Sequence, residues 1–140
     1  MYRILVVDDE PDLVELLSFN LRIAGYQVIS AGDGPTAIAL ARQELPDLIL
    51  LDLLLPELDG ISVCEILRRS PDTATIPIIM LTAWNSDLSR IVGMAMGANA
   101  YLTKPFKMRA ILGSVRFLLA ATTRKSGAQR AHVSSDPPSL

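Results

Sequence analysis

The sequence predicts an alternating α/β fold in which five strand–helix units surround a single parallel sheet. Three observations predict it. Ile4 to Val7, Leu48 to Leu51 and Ile76 to Leu81 are short, unbroken apolar runs, the pattern of strands covered on both faces. Segments with apolar residues at helical spacing lie between them, and Gly and Pro punctuate the changes from one kind of segment to the other. The length of 140 residues suits one domain with one core.

Two shorter strands complete the set, Tyr26 to Ser30 and Ala100 to Thr103. The first helix carries Val14, Leu17, Leu21 and Ala24 at helical spacing, with Pro11 at its first position and Gly25 as its stop. Pro35 to Glu44 is an Ala-rich second helix that Pro46 closes off. Ile61, Cys64 and Leu67 mark a third, which Asp59 is placed to cap. Asp87 to Met96 forms a fourth, stopped by Gly97, and Lys107 to Ala121 a fifth with Ile111, Val115 and Leu118 as its buried stripe. Right-handed crossovers put helices on both faces of a five-stranded parallel sheet. This is the doubly wound, flavodoxin-like (βα)5 arrangement, whose sites lie at the carboxyl ends of the strands.

Half the residues are hydrophobic and a fifth charged, an ordinary globular composition. The net charge of -2 gives no general attraction to nucleic acid or to an anionic membrane. No apolar run is long enough to span a bilayer. Met1-Tyr2-Arg3 leads straight into a strand without a signal-peptide layout, so a cytoplasmic location is expected. The single cysteine, Cys64, fits a reducing compartment and reads as a small core residue. From Thr122 to Leu140 the composition turns to Thr, Ser, Gly, Arg and Pro, which predicts a domain over 1–121 and a polar, disordered tail or linker over 122–140. His132, in that tail, reads as a surface residue.

The chemistry lies at the strand ends. Asp8 and Asp9 follow the first strand and Asp52 the third, and these ends are neighbours if the first strand is central. Three converging carboxylates repel one another unless a cation joins them, and oxygen-only donors suit a hard ion such as Mg²⁺. The fourth strand ends at Leu81, so Thr82 supplies a hydroxyl at the same rim, and Lys104 follows the fifth with an ammonium. Acids, metal, hydroxyl and amine together suit a phosphoryl group held on one carboxylate.

Four segments taken in order resemble one known family. They are Ile4-Leu5-Val6-Val7-Asp8-Asp9-Glu10-Pro11, Leu50-Leu51-Asp52-Leu53-Leu54-Leu55-Pro56 with Asp59-Gly60, Met80-Leu81-Thr82-Ala83, and Gly97-Ala98 through Tyr101-Leu102-Thr103-Lys104-Pro105-Phe106. They are similar to the receiver domains of bacterial two-component response regulators, over about Arg3 to Ala121. The resemblance implies that Asp52 accepts the phosphoryl group, that Asp9 ligates Mg²⁺ directly and Asp8 mainly through water, and that the Leu54 carbonyl completes the metal site. It implies that Thr82 and Lys104 contact the phosphoryl group and that Lys104-Pro105 is a cis peptide. Thr82 and Tyr101 are implied to form a switch pair. Donors implied are phosphohistidines of sensor histidine kinases or phosphotransfer proteins, with small phosphodonors as substitutes. Such a protein is a switch that catalyses only its own phosphorylation and dephosphorylation.

Competing readings lack their signatures. A flavin carrier on this fold needs a hydroxyl- and glycine-rich loop where this chain has Asp8-Asp9-Glu10. A receiver-like docking module would lack one of the acids or the lysine. A hydrolase of external phosphate esters would show a general-acid histidine, and none is placed for it. Leu54 and Trp84, large and apolar beside Asp52 and Thr82, are expected to hinder water and prolong the phosphorylated state. Receivers joined to winged-helix domains often carry acids where this chain has Asn99-Ala100 and Ala110, so an ion-paired dimer is not expected. The fourth helix, with Ile91 and Ala95 toward the sheet and Met94 or Val92 outward, is expected to join Ala100, Tyr101, Met108, Ala110 and Ile111 in an apolar face. That face is expected to bind a downstream protein or a second copy, with no direct nucleic-acid or membrane binding by this chain.

Overall fold

The computed structural model describes residues 1–84 and 86–134, with side chains described as far as Thr122. His132 therefore lies outside the described side chains. In chain order the elements are β1 (Arg3–Val7), α1 (Pro11–Ile23), β2 (Gln27–Ala31), α2 (Gly34–Glu44), β3 (Leu48–Leu51), α3 (Gly60–Arg69), β4 (Ile78–Thr82), α4 (Asp87–Ala95), β5 (Ala100–Thr103) and α5 (Met108–Ser134). The sheet order is β2-β1-β3-β4-β5 and every pairing is parallel. The predicted doubly wound fold is present.

The unbroken apolar runs follow from two cores, one on each face. Leu5, Val7, Ile49, Leu51, Ile78 and Met80 pack with the residues of α2 and α3. Their alternates Ile4, Val6, Leu48, Leu50, Ile79 and Leu81 pack with Leu17 and Leu21 of α1 and Ile111, Val115 and Leu119 of α5. With successive side chains on opposite faces, no position of β3 or β4 faces water.

Local chemistry sets the helix starts. Asp33 caps α2 by accepting from the Thr36 N–H, and Asp59 caps α3 by accepting from Ser62, each satisfying a donor that the helix leaves open. Pro11 begins α1, and Gly25 follows it at φ +100, a backbone state that glycine adopts without steric cost.

Three details differ from expectation. In α5 the third buried position is Leu119, while Leu118 is only partly covered. In α4 the residues against the sheet are Ser89 and Gly93, not Ile91 and Ala95; Ile91 is 65% exposed. The helix lies too close to the strands for larger groups, since a Cβ on Gly93 would stand 2.8 Å from Met80 Sδ and 3.1 Å from the Tyr101 ring. Finally, α5 continues past Ala121 to Ser134. The sequence there holds Ala, Arg, Lys and Gln among its polar residues, all good helix formers, and its first proline is Pro137.

Candidate functional site

The site stands at the carboxyl edge of the sheet. Register brings Val7 beside Leu51 and Ala31, so the residues that follow β1 and β3 emerge together. The Asp8 N–H donates to the Ala31 carbonyl at 3.1 Å and the Asp52 N–H to the Val7 carbonyl at 3.0 Å. Both side chains are buried, each 4% exposed. The backbone beneath Asp52 is closed off by Gly60, where a Cβ would fall 2.2 Å from the Asp52 carbonyl oxygen; only glycine fits there. Asp59-Gly60 thus both caps α3 and seats the loop that carries Asp52.

The two aspartates are held alike. Asp8 Oδ1 accepts from the Glu10 N–H at 2.9 Å, and Asp52 Oδ1 from the Leu54 N–H at 3.1 Å, each turn closed by its own aspartate. Their other oxygens meet the same ammonium: Lys104 Nζ lies 2.9 Å from Asp8 Oδ2 and 3.1 Å from Asp52 Oδ2. Glu10 Oε1 is the third partner at 2.9 Å. Lys104 reaches them because its N–H is tied to the Thr82 carbonyl at 2.8 Å, which extends the β4–β5 pairing by one residue. The Lys104–Pro105 peptide is cis, as the resemblance to receiver domains implies.

Three carboxylates therefore share one cation. Burial works against the charged ammonium, yet its bonds to Asp8, Glu10 and Asp52 outweigh that cost and hold the Lys104 pKa above its ordinary value. Burial raises the Asp8 pKa, with the Lys104 and Glu10 N–H bonds opposing the rise. Carboxylate oxygens of Asp8, Glu10 and Asp52 lie within 4.8 Å of one another. An oxygen-only donor set with excess negative charge fits a hard divalent cation.

Of the residues singled out from sequence, Asp8 and Asp52 both contact Lys104. Asp9 is exposed and stands outside this group. Glu10 takes a place in it that the sequence did not assign; it reads there as an acid favoured by the start of α1, although it directly follows the acid pair. Thr82 is fully buried at the rim, its Oγ1 accepting from the Trp84 N–H at 3.3 Å. Tyr101 is 5% exposed. Its hydroxyl donates to the Trp84 carbonyl, and Ser89 Oγ lies 3.0 Å away. Leu54 and Trp84 project at the rim, about half exposed.

Away from this cluster, α4 exposes Leu88, Ile91 and Met94, and α5 exposes Phe117. A groove of about 400 Å³ is lined by Asn99, Ala100, Arg109, Ala110, Gly113 and Phe117. Ile111, expected on this face, is fully buried in the core instead. Among the described residues no helix is long and apolar enough to cross a membrane.

A parallel five-stranded sheet with helices on both faces, carrying buried acids and a lysine at its carboxyl edge, defines a doubly wound α/β domain with an acidic site that could hold a cation. The chain belongs to the response regulator receiver domain family, which it matches over residues 4–116. It is 51% identical over 124 residues to the DNA-binding dual master transcriptional regulator RpaA of Synechocystis sp., covering 89% of this chain and 52% of that protein. It is 47% identical over 117 residues to the alkaline phosphatase synthesis transcriptional regulatory protein PhoP of Bacillus subtilis, covering 84% and 48%. The chain thus spans about half the length of these relatives. Among solved structures, a putative response regulator from Chloroflexus aurantiacus superposes with a TM-score of 0.81 at 40% identity, covering 85% of this chain and 98% of that one. The beryllofluoride-activated receiver domain of Klebsiella pneumoniae RstA gives 0.76 at 32% identity, covering 84% and 97%.

Proposed function

We propose that this receiver domain is a Mg²⁺-dependent phosphoryl acceptor, with Asp52 as the accepting residue, and that it works in the cytoplasm. The observation that carries this reading is the single ammonium of Lys104 shared by buried Asp8 and Asp52. The donor is a phosphohistidine of a sensor histidine kinase or phosphotransfer protein. The P–N bond breaks, a P–O bond forms to an Asp52 oxygen, and the imidazole leaves as the neutral ring after taking a proton. Asp8, Asp9, Asp52 and the Leu54 carbonyl would hold Mg²⁺, which supplies positive charge against the phosphoryl oxygens; Glu10 adds a further carboxylate at that place. Lys104 exchanges part of its carboxylate contacts for the incoming oxygens, and Thr82 turns its hydroxyl to donate to them. Tyr101 follows Thr82, and the change reaches the face made by α4, β5 and α5, where a downstream protein or a second copy binds. The catalytic work is confined to the chain's own phosphorylation and dephosphorylation. The receiver occupies residues 1–121, and this chain does not itself bind nucleic acid, although the first relative is DNA-binding by name.

Incubation with acetyl phosphate or phosphoramidate and Mg²⁺ is expected to add one phosphoryl mass. Asp52→Asn and EDTA are each expected to abolish it, and labelling that survives both removes Asp52 as the acceptor. Asp9→Ala is expected to lose most of the rise in melting temperature that Mg²⁺ gives; an unchanged response places the ion elsewhere. Leu54→Asn and Trp84→Glu should speed loss of the phosphoryl group, each tenfold corresponding to about 1.4 kcal/mol of barrier. Equal decay rates across the set would leave the two side chains as bystanders.

A further inference from the structure

Tyr101 lies where α4 crosses β5, and α4 grips it in three ways. The hydroxyl is bonded to the Trp84 carbonyl and lies beside Ser89 Oγ. One ring edge runs against the bare backbone of Gly93, where a Cβ would stand 3.1 Å from Cδ2 and 3.2 Å from Cε2. The ring face is covered by Arg90, whose guanidinium carbon is 4.9 Å from the ring centroid. The same guanidinium donates from Nη1 to the Tyr101 carbonyl at 2.9 Å.

This double contact has a physical consequence. The bond to the Tyr101 carbonyl involves backbone, so it does not depend on where the ring points. It stations the cation above the space that the ring fills when turned inward. A planar guanidinium can satisfy the carbonyl and stack on the ring together, whereas an ammonium must divide itself between them. The attraction of cation for ring face is present only while the ring is inside.

We propose that Arg90 is a latch: it positions Tyr101, holding the ring inward under α4 and so setting the balance between its inward and outward states. The consequence for phosphoryl binding rests on the Thr82–Tyr101 coupling proposed above. If the inward ring and the phosphoryl-bound site favour each other, weakening the latch lowers affinity at Asp52 by up to the factor by which it depopulates the inward ring. Arg90 then tunes the switch from the surface, without touching the phosphoryl site.

The test uses the full chain with ring-¹³C tyrosine, the Tyr101 signals being assigned by Tyr101→Phe. Arg90→Gln keeps an N–H donor for the Tyr101 carbonyl and removes the cation; Arg90→Lys keeps the cation. Gly93→Ala, which crowds the ring from the opposite contact, provides the signal of a displaced ring. Trp84, the one tryptophan of the chain, reports binding of beryllofluoride with Mg²⁺ by its fluorescence. Arg90→Gln should move the Tyr101 signals toward those of Gly93→Ala and weaken beryllofluoride binding roughly three- to tenfold. Arg90→Lys should fall between Arg90→Gln and wild type in both readouts. Wild-type Tyr101 signals in a folded Arg90→Gln protein overturn the latch. A moved ring with wild-type beryllofluoride affinity supports the latch and overturns the Thr82–Tyr101 coupling instead.

Discussion

Among the described residues, Lys104 and Arg68 are two partly buried cations stabilised in opposite ways. Lys104, at the carboxyl edge of the sheet, is surrounded by the carboxylates of Asp8, Glu10 and Asp52. Arg68, near the far end of α4, binds only neutral oxygens: the carbonyls of Gly97, Ala74 and Ile76 and the side-chain oxygen of Asn99. Asn99 passes the contact on, its Oδ1 accepting from the Ile78 N–H at 2.8 Å. The pKa values move accordingly, Lys104 upward because its carboxylate bonds outweigh burial, Arg68 downward because burial dominates. The difference teaches where the molecule can change. A ring of charges around an ammonium is open to exchange with another cation or with a phosphoryl group. A guanidinium spanned across backbone carbonyls has no such partner to exchange, and it clamps the loops after α3 and α4 to each other. The end of α4 beside Arg68 is thus a fixed point, while its other end, at Ser89 and Arg90, meets the switch residues.

Breaking the fixed end should have the larger effect on stability. Arg68→Met leaves several carbonyl oxygens and the Asn99 side chain short of a donor, a loss expected at about 3 kcal/mol in urea unfolding. Mg²⁺ should not restore it. A loss below about 1 kcal/mol would mean that water replaces the guanidinium easily and that the clamp is only a surface contact.

Lys104→Met should cost somewhat less, about 2 kcal/mol at neutral pH, because it leaves buried Asp8 and Asp52 without their cation but close to solvent. Here Mg²⁺ should recover part of the loss. The wild-type protein also carries a pH signature. The folded Lys104 pKa is raised, so its contribution is complete below the ordinary lysine value of 10.5 and disappears as pH rises through the folded value. Alkaline melting curves should show this decline in wild type and not in Lys104→Met. Parallel curves for the two proteins would remove Lys104 as the source.

Mg²⁺ itself should sharpen the contrast. At ten times its dissociation constant it should stabilise wild type by about 1.4 kcal/mol, and Arg68→Met by the same amount, since the two regions share no partner. Non-additivity between Arg68→Met and the Mg²⁺ effect would show that the clamp and the acid site are coupled.

The smallest effect is a local one. Burial raises the pKa of the Cys64 thiol, and its Sγ donates to the Met96 carbonyl at 3.4 Å beside the Arg68 clamp. Alkylation by iodoacetamide should be slow in wild type, at least about tenfold faster in Arg68→Met, and unchanged in Lys104→Met. Acceleration in both variants in proportion to their losses of global stability would mean that alkylation follows global unfolding.

Much of this was legible in the residues. Apolar runs such as Leu48 to Leu51 announce strands covered on both faces, because a position open to water would call for a polar residue. Pro11, Asp59 and Gly97 mark helix boundaries by backbone rules that act within a few residues. Asp8, Asp52 and Lys104 could be brought together because in a parallel sheet the residue after each strand emerges at one edge. Periodicity was less informative for α4, where Ile91 and Ala95 have the right spacing for a buried stripe and are nevertheless outside.

The residues alone carry the alternation of strands and helices and the edge on which the acids and the lysine gather, because local chemistry ends each element and parallel strands end at one edge; the motifs carry the resemblance to the receiver family. That Glu10 rather than Asp9 joins Lys104, that Gly93 and Ser89 are the contact face of α4, and that Arg90 covers Tyr101 while Arg68 spans the loops came only with the packing. These depend on how near one element lies to another, and distance across a core is set by the joint packing of many side chains. No local pattern encodes it.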